Sequence, residues 1–280
     1  VRNDKKELLR FFTKPSKTRK DLTISLIQAN LHWEEIDANL AMFEELIWSI
    51  DGADLIVLPE MFTTGFSMNA EKLSEPPGGK TFKWMRQMST QRKVAITGSV
   101  ITKDQGKFYN RLYFVYPDGS SKQYDKKHLF NLAAEGDTYT PGSERIILEY
   151  QGWRIHPMIC YDLRFPVWAR SKKTKEQTYE YDLLLYVANW PDTRVNAWDT
   201  LLKARAIENL SYCAGVNRIG TDGFPKDYNG HSGIYSPKGE ELVFSDNKEE
   251  ILTATLSAEE LLTYRRDFPF QEDADGFELK

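Results

Sequence analysis

An α/β fold in one large domain, its sheets covered by helices, is what this sequence predicts. Short apolar, β-branched runs recur along the chain, and stretches with helical spacing lie between them. Neither a shift in composition nor a repeat of roughly 20–50 residues divides the 280 residues. Hydrophobic residues make up 41% and charged residues 28%, which places the chain among soluble globular proteins and excludes collagen-like or wholly disordered ones.

The elements follow in order. LTISLIQA (22–29) is apolar and bounded by charge, a strand pattern. Ile36, Leu40, Phe43, Ile47 and Ile50 then mark one face of an amphipathic helix ending near Asp51-Gly52. ADLIVLPE (53–60) reads as a buried strand running into Pro59. A Gly/Pro/Ser-rich loop (63–79), a helical stretch near 80–92 and a strand at VAITGSVI (94–101) come next. RLYFVYPDGSSKQYDK (111–126) is two strands around a Pro117-Asp118-Gly119 turn. The second half opens with RIILEYQGWRIHPMIC (145–160), two strands turning at Gly152, followed by a buried strand at DLLLYVANW (182–190). The helix at 195–210 turns Val195, Trp198, Leu201 and Leu202 inward. Strands SYCAGVNRIG (211–220), SGIYSP (232–237) and EEILTATL (249–256) complete the series, and SKKTKEQTYEYD (171–182) reads as an exposed loop.

Charge and cysteine usage bound the partners. With 41 acidic and 37 basic side chains the net charge is −4, which argues against nucleic acid as the main partner. The longest apolar run, around 183–190, falls far short of the roughly 20 residues of a membrane helix, so no membrane partner is expected. Cys160 and Cys213 cannot build a disulfide framework, and the four histidines lack ligand spacing. A reducing, cytoplasmic compartment and no metal are the expectations. Residues 1–20 form a basic arm whose eight Lys/Arg stand against Asp4 and Glu7; the sequence assigns it no function.

Chemistry concentrates in three places. In LPEMF (58–62), Glu60 follows the end of an apolar strand, where ligands gather in α/β folds. A partly desolvated carboxylate there suits a general acid or base, though it would equally be an ordinary loop acid. In YDKKHLF (124–130), a lysine held in a closed site can face a developing oxyanion. Two adjacent lysines on extended backbone point apart, so at most one enters a site. In MICYDLRFPVW (158–168), Cys160 sits at a strand-to-helix turn. Free N–H groups and the helix N-terminus there would depress its pKa, unless it is simply a core cysteine, the reading given to Cys213. There is no G-x-S-x-G elbow or phosphate loop. A pairing of Cys160 with His128 or His231 stays open, although no spacing supports it.

Taken in this order, the segments resemble the carbon–nitrogen hydrolase (nitrilase) superfamily over about residues 21–270. LPEMF carries the family glutamate, YDKKHLF its Tyr-x-Lys-x-His-Leu-Phe pattern, and ICYDLRFP its Cys-Tyr-Asp-Leu-Arg-Phe-Pro segment. CYDLRFPVWAR, YDLLLYVANWP, LLKARAIENLSYCAGVNRIG and YRRDFP most resemble the omega-amidase (2-oxoglutaramate amidase) branch. The resemblance implies a four-layer α-β-β-α sandwich, a homodimer or higher homo-oligomer, no metal or organic cofactor, and a hydrolase domain at 21–270 followed by a tail at 271–280. It implies a catalytic triad of Glu60, Lys126 and Cys160, with Glu135 as an auxiliary carboxylate and the Tyr161 backbone N–H as oxyanion donor. The small-molecule substrate would be a 2-oxo amide such as 2-oxoglutaramate, hydrolysed through a cysteine thioester. An N-carbamoyl or nitrile substrate is the alternative, and a non-catalytic binding protein on the same fold a weaker one. Arg164 is a candidate for the substrate carboxylate but is expected first to pair with Asp162 or another acid. Phe66, Phe130 and Trp190 are candidates to wall the pocket.

Overall fold

A computed structural model describes residues 19–174 and 177–279. The expectation for the basic arm therefore lies outside the described residues, except for Arg19 and Lys20. The first half of the chain forms β1 (Leu22–Gln28), α1 (Ile36–Trp48), β2 (Leu55–Val57), the single turn α2 (Ala70–Leu73), α3 (Lys80–Arg92), β3 (Ala95–Asp104), β4 (Lys107–Val115), β5 (Ser121–Asp125) and the short α4 (Glu135–Thr138). The second half adds β6 (Leu148–Tyr150), β7 (Trp153–Ile159), the short α5 (Pro166–Ala169), β8 (Leu183–Val187), α6 (Val195–Asn209) and β9 (Tyr212–Val216). It ends with β10 (Ile219–Thr221), β11 (Asp227–Asn229), β12 (Ser232–Tyr235), β13 (Glu241–Ser245), β14 (Glu250–Leu256) and α7 (Ala258–Asp267).

Two six-stranded sheets result, ordered β14-β1-β2-β3-β4-β5 and β13-β12-β9-β8-β7-β6. Strand alternation sorts their faces. Leu55 and Val57 of β2 join Ile24, Leu26 and Phe114 in a core shared with the second sheet. Ile56, one residue out of phase, faces the other way and packs with Phe43, Ile47 and Met85 of α1 and α3. On the second sheet, Trp198, Leu202 and Ala206 of α6 join the cluster. The fold is a four-layer α-β-β-α sandwich. Gly215 of β9 sets the closeness of its last layer, because a Cβ there would lie 2.6 Å from Leu202 and 2.8 Å from Trp198.

In each sheet three neighbouring strands run parallel, β1-β2-β3 and β7-β8-β9. The segments leaving β2, β7 and β8 at their carboxyl ends carry Glu60, Cys160 and Asn189. That is where a site is expected in open parallel sheets.

Several expectations need correction. The predicted strand 211–220 is broken, because Asn217 and Arg218 turn away to donate to the Trp190 and Leu31 carbonyls and only β9 and β10 keep strand pairing. The 171–182 segment is largely half-buried rather than exposed. Ser171, Tyr181 and Asp182 are buried, and Glu180 pairs with Arg145. The Gly/Pro/Ser-rich loop contains α2. Strands β11 and β13 and helix α7 had no counterpart in the sequence reading, although Ser257 caps α7 by accepting the Glu260 N–H, a spacing that was visible. Gln271, in the stretch read as a tail, is buried and donates to the Ser171 carbonyl. Among the described residues no helix is long and apolar enough to cross a membrane.

Candidate active site

Four side chains from separate parts of the chain converge. Glu60 leaves β2, Lys126 follows β5, Glu135 opens α4 and Cys160 follows β7. The Lys126 ammonium donates to Glu60 Oε1 at 2.9 Å and to both Glu135 oxygens at 3.0 and 2.9 Å. Neither Glu60 nor Glu135 has any exposed surface, so Glu60 is fully rather than partly desolvated and Glu135 is no loop acid. Their remaining lone pairs are taken by Asn110 Nδ2, which reaches Glu60 Oε1 at 2.8 Å and Glu135 Oε1 at 3.4 Å, by the Asn189 N–H to Glu60 Oε2 at 2.8 Å, and by the Phe130 N–H to Glu135 Oε2. Buried charge of this kind persists only when paired and hydrogen-bonded.

Burial alone would lower the Lys126 ammonium, but Glu135 and Glu60 outweigh it and hold it above its ordinary range. Burial pushes the Glu135 carboxyl up, with Lys126 opposing and Glu60 adding to the rise. The Cys160 thiol is pushed up by burial first and then by the neighbouring Glu60 charge, against the pull of Lys126. This reverses the expected depression, because a dry site with net negative charge outweighs the local N–H groups.

Three residues at the site have left-handed backbone. Cys160 itself has φ +44°, Met61 beside Glu60 has +43°, and Ala134 beside Glu135 has +56°. Left-handed conformations in residues with side chains cost about 1–3 kcal/mol each and cluster at functional sites. The Cys160 turn is tied to the lysine segment through Asp162. Its Oδ2 accepts the Tyr124 hydroxyl at 2.8 Å and the Ile159 N–H at 3.0 Å. Its Oδ1 accepts the His128 N–H at 2.9 Å and lies 2.7 Å from His128 Nδ1. His128 is thereby engaged away from the thiol, and His231 is held by Asp199. Lys127 points out over Trp168, 5.3 Å from its ring, and only Lys126 enters the site.

Above Cys160 opens a narrow, partly enclosed cleft. Phe66, Phe130, Tyr161, Arg164 and Trp190 all line it. Arg164 does not pair with Asp162, whose oxygens are already occupied; its guanidinium lies 4.9 Å from the Trp190 ring centre. Asn110, Asn189, Arg194, Lys226 and Tyr228 also reach the site, beyond the residues expected from the sequence. Asn189 stood in view within the ANW segment, but the others have no local signature. Among the described residues no group of three or more His, Cys, Asp or Glu is placed to hold a metal ion.

The pattern of the carbon–nitrogen hydrolase family matches residues 23–266. The chain belongs to that family. It is 45% identical over 259 residues to the omega-amidase YafV of Yersinia enterocolitica, covering 92% of this chain and 98% of the relative. It is 33% identical to the 2-oxoglutaramate amidase of Bacillus subtilis, over 90% of this chain and 96% of that one. A solved structure of a carbon–nitrogen hydrolase superfamily protein from Xanthomonas campestris, described with an arsenic adduct in its active site, superposes with a TM-score of 0.91. Its identity is 42%, over 93% of this chain and all of that one. This member of the nitrilase superfamily is therefore an amidase-type enzyme that hydrolyses a carbon–nitrogen amide bond.

Proposed function

We propose that this amidase hydrolyses the terminal amide of a short 2-oxo acid such as 2-oxoglutaramate, giving a 2-oxo dicarboxylate and ammonia. The observation that carries the reading is the buried Glu60–Lys126–Glu135 array set beside Cys160 under a cationic cleft. Glu60 takes the thiol proton as Cys160 attacks the amide carbonyl, a nucleophile activated by an adjacent base. The Lys126 ammonium and the Tyr161 N–H, in the first turn after the strand where N–H groups lack helical partners, hold the oxyanion. Glu60 returns the proton to the departing nitrogen, ammonia leaves, and a thioester remains on Cys160. Water, deprotonated by Glu60 and oriented by Glu135, then hydrolyses it. Glu60 thus works in both protonation states, and Asn110 and Asn189 keep it in place between them. Arg164, free of Asp162 and lying over the Trp190 ring, is the donor we assign to the substrate carboxylate. A homodimer and a cytoplasmic setting complete the proposal, resting on the family resemblance and on two buried unbridged thiols respectively.

The test is ammonia release from 2-oxoglutaramate, glutamine, asparagine, a simple nitrile and an N-carbamoyl amino acid in parallel. The 2-oxo amide is expected to give the highest kcat/KM. Turnover confined to the nitrile or the carbamoyl compound would keep the family and discard this substrate.

A further inference from the structure

Four cations line the cleft and, among the described residues, no carboxylate does. Lys126, at its base, is ion-paired with Glu60 and Glu135. The other three are Arg164, Arg194 and Lys226, and no ion pair ties any of them down among the described residues. Arg194 repeats the arrangement of Arg164 on a different ring. Its guanidinium lies 5.1 Å from the centre of the Phe130 ring, and its main-chain carbonyl accepts the Trp190 indole N–H at 2.8 Å. An aromatic face fixes the plane of a guanidinium without using its N–H edge, which stays available for a carboxylate.

The acids nearby in sequence lie outside the lining. Asp192 accepts the Thr193 N–H through one oxygen, and Asp227 accepts the Thr221 hydroxyl. Asp222 accepts the N–H groups of Phe224 and Lys226 through one oxygen and the Tyr228 hydroxyl through the other. An incoming ligand therefore meets three cations without an ion pair, and the acceptors in the lining, Asn189 Oδ1 among them, are neutral.

We propose that Arg194, with Lys226 in the same lining, is a specificity-determining residue that reads the far end of the substrate and admits amides whose other end is purely anionic while rejecting amino-acid amides. This rests on the amidase reading above. An α-ammonium would sit among two guanidiniums and an ammonium with no anion in the lining to answer it, whereas an oxo group or a hydrogen at that carbon meets no such repulsion. Discrimination by an unfavourable charge contact works against the wrong ligand as effectively as extra attraction works for the right one.

Binding without turnover separates this claim from the catalytic one. The Cys160→Ala protein is titrated calorimetrically with 2-oxoglutaramate, glutaramate and L-glutamine, which share the amide and differ at the second carbon. The two anions are expected to bind within about tenfold of each other, and glutamine about 100-fold more weakly. Adding Arg194→Met, which keeps an apolar stem on Phe130, should weaken the anions by about 10- to 100-fold, the range of a charged hydrogen bond. It should change glutamine by less than about threefold, and Arg194→Lys should recover part of the loss. Arg194→Glu should narrow or invert the preference. Glutamine binding as tightly as 2-oxoglutaramate before any change at Arg194 would overturn the proposal, and so would equal losses for all three ligands in Arg194→Met. If ammonia release fails but these preferences hold, the amidase reading falls and the anion-selective cleft stands.

Discussion

Lys126 is a cation with no surface, and its whole charge is answered by two carboxylates that have none either. Removing one partner from such a cluster leaves like charges facing each other in a dry cavity, so its effect extends beyond catalysis. Lys126→Met is expected to lower kcat by about 10²–10³, the worth of an oxyanion donor, and to cost about 3–5 kcal/mol of stability by urea unfolding. A variant as stable as the parent would mean that Lys126 does not hold Glu60 and Glu135 together. The site residues differ in how readable they were. Glu60, Lys126 and Cys160 lie in motifs that can be matched along the sequence. Asn110 looks like any polar residue of a strand, and it joins the site only because β4 pairs with both β3 and β5. Arg194 became visible only when a loop from the other sheet brought Phe130 beneath it. A role made by tertiary contact leaves no local pattern to read.

At the level of elements, the strands that were legible are those buried on both faces, such as β2 and β8, whose continuous apolar runs announce them. Strand β13 was not, because it is an edge strand with Leu242 and Phe244 exposed and its alternation is weak. The 171–182 segment misled for the opposite reason. Its lysines suggested a solvated loop, but Asp182 anchors Arg19, Arg154 and Arg265 and draws the segment inward. The docking of α6 on β9 has its own test. Gly215→Ala places a Cβ against Leu202 and Trp198, and overpacking of this kind should cost about 1–3 kcal/mol in denaturant unfolding. A neutral substitution would show that α6 can retreat without loss.

For the whole molecule, the pH range of stability has an identifiable contributor. His156 is fully buried, and burial, reinforced by the Arg145 charge, lowers its pKa to about 3. The unfolded chain takes up this proton near the ordinary histidine value of about 6.5, while the folded protein refuses it until about pH 3. The histidine thus has no effect above about pH 6.5, and it removes stability as pH falls from there toward 3, by about 1.4 kcal/mol per pH unit. His156→Gln should flatten the loss of stability between pH 6.5 and 4 in urea titrations; an unchanged slope would contradict the assignment. The two-sheet sandwich itself was foreseen through family resemblance. Alternation of strands and helices alone predicted sheets covered by helices, without saying that two sheets would pack face to face.

The nucleophile is the centre of the account, and one comparison addresses it directly: ammonia release from 2-oxoglutaramate by the unaltered enzyme, Cys160→Ala and Cys213→Ala, each shown folded by its unfolding transition. Cys160→Ala should lose about four orders of magnitude or more in kcat, while Cys213→Ala, whose thiol lies in the apolar core, should retain turnover. Turnover that survives in Cys160→Ala and vanishes in Cys213→Ala would contradict the assignment.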